Sequence, residues 1–386
     1  MSTIIEPSMA RTLDLIGNGL EAARLPQPLL FDVRPDSNAF PLQAGKYPEF
    51  RYMGSKHRLT NWLHSIFAEV EFSSAADPFC GGGSVSYLLK AMGKSVYASD
   101  FLNFPTVISS AVVANSDCVL DFEDAAFLTS CGSPRMKFIS ETFKQIFFTA
   151  EDLEFLDLAW ERLPELASPS KRDIALAAMI RSCMKKQPRG VFTVGSTQVG
   201  GGLRYDDGRR DVHLSLRDHF REQVSVLNGL VFDNGRVSTA ERRSALDPPN
   251  QTADLVYFDP PYVPRKDDNC YVKRYHFLEG LSTYWREGEI MESSKVKKLA
   301  KRHTPFSHRR TALEAFDQLF RNYADSIIAL SYSSNGYPDR ELLERLLKVY
   351  KPRVEVFERP HRYHFGTHSA VERALTTEYV LLGLND

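Results

Sequence analysis

Asp254-Leu255-Val256-Tyr257-Phe258-Asp259-Pro260-Pro261-Tyr262 is the stretch on which the fold turns. An apolar run of β-branched and aromatic side chains stops at an acid, two prolines and an aromatic ring, the pattern of a buried strand that delivers a rigid polar loop at its carboxyl end. Open α/β sheets place their chemistry at that edge. The prolines fix φ and remove two N–H donors, so the loop offers carbonyl acceptors in a stiff frame beside the Asp259 carboxylate, with an aromatic face nearby. Such an acceptor-only pocket suits an aromatic amine, although a proline turn capped by an aspartate is the plainer account of the same residues.

A second stretch lies far upstream. Ser74-Ala75-Ala76-Asp77-Pro78-Phe79-Cys80-Gly81-Gly82-Gly83-Ser84-Val85 reads as a short strand, a glycine-rich turn and a helix continuing through Tyr87, Leu88, Leu89 and Met92. Gly93-Lys94-Ser95-Val96-Tyr97-Ala98-Ser99-Asp100 adds a strand that again ends in an acid. This βαβ unit requires a parallel sheet with a right-handed crossover. A glycine-rich turn lets backbone approach a ligand and the helix start presents unpaired N–H groups, so the turn invites a nucleotide-like cofactor. It is not a Walker loop, because no Gly-Lys-Ser/Thr follows, and not a full G-x-G-x-x-G, because Ser86 stands at the third glycine's place. Glycine also serves tight turns for structural reasons alone. Asp100 favours the cofactor, since dinucleotide folds bind ribose hydroxyls with an acid at this point; a helix N-cap is its structural alternative.

Composition bounds the rest. With 386 residues, 43% hydrophobic and 25% charged, the chain reads as an ordinary soluble globular protein of one large domain with an insertion, or of two domains. No apolar run approaches the roughly 20 residues that span a bilayer, and no basic-then-apolar leader opens the chain, so neither membrane insertion nor secretion is expected. Five cysteines, Cys80, Cys118, Cys131, Cys183 and Cys270, lack C-x-x-C spacing, which argues against disulfides or a zinc site and fits a reducing cytoplasm. His361, His364 and His368 are irregularly spaced, and no metal is expected. The net charge of -1 hides local clusters. Lys295, Lys297, Lys298, Lys301, Arg302, Arg309 and Arg310 follow one another without an acid, and Arg181, Lys185, Lys186 and Arg189 form a second group. A solvated basic helix is the plain account of the first.

Residues 1–46 read as an amino-terminal extension, with an amphipathic helix near Arg11 to Arg24 and then Pro26, Pro28, Pro35 and Pro41. Arg51-Tyr52-Met53-Gly54-Ser55-Lys56 is a small-residue turn that places Lys56 at the start of a helix through Leu59, Trp62, Leu63, Ile66 and Phe67. Mainly helical patterns then follow, among them Asp152 to Leu163 and Asp173 to Met184, broken by a basic loop holding Gly200-Gly201-Gly202. The spacing predicts an inserted functional region over 116–224 within a catalytic domain of 47–115 and 225–386. Strand signals resume at Leu230 to Phe232, Leu255 to Phe258, Ile327 to Tyr332, Val354 to Phe357 and Glu378 to Leu382, with helical patterns at Ala312 to Tyr323 and Arg340 to Tyr350.

Phe79-x-Gly81-x-Gly83 followed by Asp259-Pro260-Pro261-Tyr262 resembles the S-adenosylmethionine and catalytic motifs of adenine-specific DNA methyltransferases of the Dam-like class, in which the cofactor motif comes first. Arg51 to Lys56 is similar to that class's amino-terminal motif, and Ser331-Tyr332-Ser333-Ser334-Asn335-Gly336 to its late motif beside the target-base pocket. The likeness covers residues 48 to 104 and 228 to 384. It implies a Rossmann-like α/β sheet with helices on both faces and a mainly helical inserted target-recognition region. It implies S-adenosyl-L-methionine as cofactor, held by Tyr52, Lys56, Asp77, Phe79, Cys80, Gly81, Gly83, Asp100 and Phe101. The reaction implied is methyl transfer to the N6 amine of a flipped adenine in double-stranded DNA at Asp259, Pro260, Pro261 and Tyr262. Tyr275, His276 and Asn335 are expected around the target base, with Tyr271 near them and Phe277 in the core.

In that frame Arg189, Arg204, Arg209 and Arg210 on the loop, and Lys297, Lys298, Lys301 and Arg302 in the basic run, are expected on DNA. The position of Cys80 varies in that class and the helical insertion has no residue-by-residue match, so the recognised sequence does not carry over. Two readings stay open beside adenine methylation: transfer to cytosine N4 or another planar amine, and a DNA-binding protein that keeps a dead methyltransferase fold. A cognate restriction endonuclease acting separately is a partner the sequence neither requires nor excludes.

Overall fold

The computed structural model describes residues 40–195, 208–263, 270–362 and 375–385; the expected helix near Arg11 to Arg24, the run Gly200-Gly201-Gly202 and Arg204 lie outside them. Among the described residues β1 (Ser74–Asp77), β2 (Ser95–Asp100), β3 (Thr239–Arg242), β4 (Leu255–Phe258), β5 (Ile327–Ser333), β6 (Arg353–Arg362) and β7 (Leu375–Leu384) form one sheet in the order β3-β2-β1-β4-β5-β7-β6. The first five in that order run parallel, and β7 is antiparallel to both β5 and β6. From β1 the order proceeds one way through β2 and the other way through β4, which makes the β1/β4 pair a topological switch point with an open crevice beyond its carboxyl ends. Asp77 closes β1 and Asp259 follows β4, so both sequence motifs end at that crevice.

The unbroken apolar run of β4 reflects a sheet covered on both faces. Leu255 and Tyr257 enter one core with Ala75 and Ala329, while Val256 and Phe258 enter another with Ala76, Ile328 and Leu330. The first core takes in α1 (Thr60–Phe67), α2 (Ser84–Ala91) and α3 (Asn103–Ser109), and then α4 (Phe122–Thr129), α5 (Phe138–Thr142), α6 (Ala150–Arg162) and α7 (Pro169–Lys186). Beyond the short α8 (Arg210–His213), the same core takes in α9 (Leu216–Asn228) and α10 (Tyr271–Thr283). The second core is covered by α11 (Arg309–Asn322) and α12 (Arg340–Leu347). Thr149, Ser168, Ser215 and Asp339 cap α6, α7, α9 and α12 through side-chain oxygens, and α6 and α7 begin ahead of the expected Asp152 and Asp173.

Leu230 to Phe232 is not a strand. Leu230 is buried at the end of the turn after α9, where its carbonyl accepts the Tyr87 hydroxyl at 2.7 Å. The edge strand next to β2 is β3, which among the described residues pairs with β2 alone and carries the polar sequence Thr-Ala-Glu-Arg, so it shows no apolar run. α9 crosses the expected boundary at 224, and its Leu227 shares one core with Met179 and Cys183 of α7.

Candidate active site

β1 leads into the turn Pro78 to Gly83, where Gly81 (φ 49°) and Gly83 (φ 75°) adopt the left-handed conformation that favours glycine. A Cβ on Gly81 would lie 2.9 Å from Cε1 of Tyr52, and one on Gly83 2.5 Å from the Tyr47 hydroxyl. At Gly81 and Gly83 the turn leaves no room for a side chain. Asp100, at the end of β2, accepts the Gly81 N–H at 3.0 Å and the Leu102 N–H at 2.9 Å, and Asp77 accepts the Ser86 hydroxyl at 2.6 Å. Burial pushes both carboxyls up to about 7, against the pull of these hydrogen bonds. Tyr52 closes the turn from above, its ring stacked on Tyr275 with centroids 5.1 Å apart and planes 2° apart.

β4 delivers the proline loop to the same crevice. One cavity of about 520 Å³ is lined by Tyr52, Asp77, Phe79, Cys80, Gly81, Asp100 and Phe101 on one side. Lys56, Asp259, Pro260, Pro261, Tyr262 and Asn335 line it on the other. Lys56, expected on the cofactor side, reaches the proline loop. Its Nζ donates to the Asp259 oxygens at 2.7 and 2.8 Å, to the Tyr262 hydroxyl at 3.0 Å and to the Gly54 carbonyl at 3.1 Å, and the residue is only 3% exposed. The Asp259 carboxyl is pushed up by burial and held back by Lys56. The Tyr262 ring packs edge-on against Tyr332 at 4.6 Å.

An acceptor loop and a glycine cradle at one switch point are what the likeness to known proteins must account for. Residues 52–333 match the model of the D12 class N6 adenine-specific DNA methyltransferase family. The chain belongs to that family. It is 29% identical over 328 residues to the Type II methyltransferase M2.HphI of Haemophilus parahaemolyticus, covering 82% of this chain and 93% of that protein. It is 23% identical over 339 residues to the Type II methyltransferase M.NlaIII of Neisseria lactamica, covering 85% and 91%. The methyltransferase thus moves a methyl group from a donor to the N6 amine of adenine in DNA, and the cytosine alternative falls away. No helix among its described residues is long and apolar enough to cross a membrane.

Other residues of the methyltransferase fall differently from expectation. His276 is buried in the helical layer, not at the cavity: its ring nitrogen Nε2 lies 2.7 Å from the Phe192 carbonyl, and burial pushes it down to about 4. Tyr275 is also fully buried; its hydroxyl accepts the Met53 N–H at 2.7 Å, so it supports Tyr52 from behind. Phe277 is core, as expected, and Tyr271 lines the cavity.

Before Arg309 the basic run holds no α-helix, and Pro305–Ser307 form a single 3-10 turn. An isolated bridge pairs Ile290 with Leu299, and Lys297 has φ 50°. Arg302, expected on DNA, lines the cavity, its guanidinium 5.4 Å from the Phe101 ring centre and 3.4 Å from Glu279. Lys297 pairs with Glu292 at 2.6 Å and Arg210 with Glu222. Lys301 and Arg209 are exposed, and Arg189 lies in a short turn after α7.

Two acids escaped the sequence reading. Glu279 of α10 accepts the N–H groups of Asn103 and Phe104 at 2.9 and 3.2 Å, holding the start of α3 beside Asp100. Glu378 of β7 is fully buried, with an oxygen 3.4 Å from the Tyr262 hydroxyl. For Glu378 the signal is an acid next to the apolar run Tyr379 to Leu382; Glu279, in a helix that also carries Lys273, Arg274 and His276, has no such signal.

Proposed function

We propose that the methyl donor is S-adenosylmethionine, bound between the glycine cradle and Asp100, and that the substrate is a specific sequence in duplex DNA from which the target adenine is flipped into the proline loop. The observation that carries this reading is one cavity lined by both motifs at the switch point. The donor set fits: Gly81 and Gly82 bring bare backbone to the cavity wall, Asp100 offers a carboxylate to ribose hydroxyls, and Asp77, Phe79, Cys80 and Phe101 complete the wall around it, while Gly83, packed on Tyr47, lies outside the lining. Bound there, the donor supplies an electrophilic methyl group on a sulfonium sulfur.

The chain's own residues do the rest. The adenine amine is a poor nucleophile because its lone pair is delocalised into the ring. Asp259 and the Pro260 carbonyl accept hydrogen bonds from its two N–H groups, which turns the lone pair out of conjugation and aims it at the methyl group, so catalysis is positioning and electrostatics. The N–C bond forms as the C–S bond breaks, the neutral thioether is the leaving group, and the cationic nitrogen then loses one proton to solvent. Pro261 stiffens the loop. Eversion costs a few kcal/mol, part of which stacking on Tyr262 offsets. Asn335 lies at the rim, where it can reach the base edge. The region 116–224, with the cations Arg189, Arg204 and Arg209, reads the DNA sequence; Arg210 must leave Glu222 to join them. A cognate restriction endonuclease in the same cytoplasm fits the Type II relatives.

Incubation with tritiated S-adenosylmethionine and duplex DNA tests this. Label is expected on DNA, recovered as N6-methyladenine, and Asp259→Ala should lower transfer by more than about a hundred-fold while donor binding persists. Transfer at the wild-type rate by that variant would overturn the role of Asp259.

A further inference from the structure

Lys56 stands between two carboxylates. Its Nζ holds both Asp259 oxygens at 2.7 and 2.8 Å and lies 4.0 Å from Oε2 of Glu378. The Tyr262 hydroxyl, which accepts from Lys56 at 3.0 Å, is 3.1 Å from Asp259 and 3.4 Å from Glu378, so its single proton can serve either acid. Glu378 comes from β7, an element remote in sequence from all the others in the cluster. Neither Glu378 nor Lys56 has more than a trace of exposure.

We propose that Glu378 is a positioning residue for methyl transfer: the second anchor to which Lys56 shifts when the adenine amine takes its place on Asp259. This rests on the assignment of Asp259 as acceptor of an N6 hydrogen. While Lys56 clasps both Asp259 oxygens, an ammonium faces the nitrogen that becomes cationic as the methyl group arrives, and like charges a few ångströms apart in a dry pocket oppose that step. With Asp259 as its only carboxylate partner, a buried ammonium could not step back without losing its counter-charge. With Glu378 beside it, the ammonium changes partner and stays paired, and the Tyr262 hydroxyl turns with it. Two carboxylates against one ammonium leave a negative charge, which the positive charge developing on the adenine nitrogen balances.

Asp77, Tyr257 and Tyr271 also face Asp259, Tyr257 faces Glu378 as well, and Asp100 and Arg274 stand beyond Tyr271. The Lys56 ammonium lowers the Asp259 carboxyl against its burial.

Glu378→Gln keeps the shape and removes the charge. In the full-length protein with duplex DNA, kcat at its plateau should fall about ten-fold, with donor KM unchanged. The acid limb of the kcat–pH profile should move to lower pH, because Lys56 then serves Asp259 alone. A purely structural role would lower plateau and folded fraction together and leave the limb in place, so a limb that stays or moves up overturns the proposal. If the glutamine variant does not fold, Glu378→Asp replaces it: the charge is kept but drawn back from Lys56, so the plateau should fall with the limb held, and a wild-type plateau overturns the proposal. Asp259→Ala, run in parallel, separates the two readings: activity surviving there sinks the assignment of Asp259, whereas a dead Asp259→Ala beside an unaltered Glu378→Gln sinks only the role of Glu378.

Discussion

Tyr52 shows how one side chain serves both fold and site. Its ring lies against Gly81, where no Cβ fits, and stacks on Tyr275 and Tyr271, so it fixes the cradle and roofs the cavity at once. Tyr52→Ala should weaken donor binding up to about ten-fold, from an aromatic stack of about 0.5–1.5 kcal/mol, and Tyr52→Phe should keep it. Titration calorimetry with the donor alone reads this, and an unchanged affinity in the alanine variant would return Tyr52 to a packing role. Asp77 makes a second residue-scale case. Its carboxyl is raised to about 7 from 3.8, so the native state holds a proton that the unfolded chain has lost, and this group's contribution to stability declines as pH climbs through that window. Asp77→Asn is neutral at every pH. The variant should therefore melt about as the wild type does near pH 4 and a few degrees higher near pH 8, and a gap that is the same at both ends would contradict the raised carboxyl.

At the scale of elements, Arg51 ties the cofactor segment to α7. Its guanidinium donates to the Lys185 carbonyl at 2.7 Å, in the last turn of that helix, and meets Asp211 at 3.1 Å. Gly190 lies against it with φ 69°, and a Cβ there would fall 2.5 Å from Cβ of Arg51. Gly190→Ala should cost about 1–3 kcal/mol of stability in chemical denaturation; a loss within measurement error would show that the clasp yields. This junction was invisible in the sequence, because a glycine and an arginine far apart in the chain carry no local signal. β4 was legible because a covered parallel strand is apolar throughout, β1 and β2 because each ends in an acid on either side of the glycine turn and its helix, and α6 and α7 because they carry helical periodicity. The edge strand β3 was not, since it packs little and so needs no apolar pattern. The motif residues of the site could be read because the switch point gathers strand ends. Glu378, Glu279 and the turning inward of His276 are set by packing between distant elements.

For the molecule as a whole, a net charge of -1 means that any attraction for DNA must come from where cations gather. The sequence suggests the run from Lys295 to Arg310, but the fold divides it: Lys297 is already paired with Glu292, and Arg302 turns to the cavity. Among the other cations, the Lys298 ammonium is held below its ordinary range by burial and by the like charges of Lys273 and Lys301. Lys273, on α10, joins it only through the fold. Cations that repel one another gain most from a bound phosphate, because the polyanion relieves the repulsion and releases its own counterions. Replacing Lys273, Lys298 and Lys301 by glutamine should reduce the slope of log affinity against log salt by about 0.9 for each phosphate that is no longer neutralised, on the order of 2–3 in all. Lys297→Gln, which removes a neutralised charge, should change it less than Lys298→Gln. Binding isotherms at several salt concentrations decide the matter: equal slopes for the triple variant and the wild type would leave this cluster a solvated surface, and would move the DNA-binding face to the loop after α7.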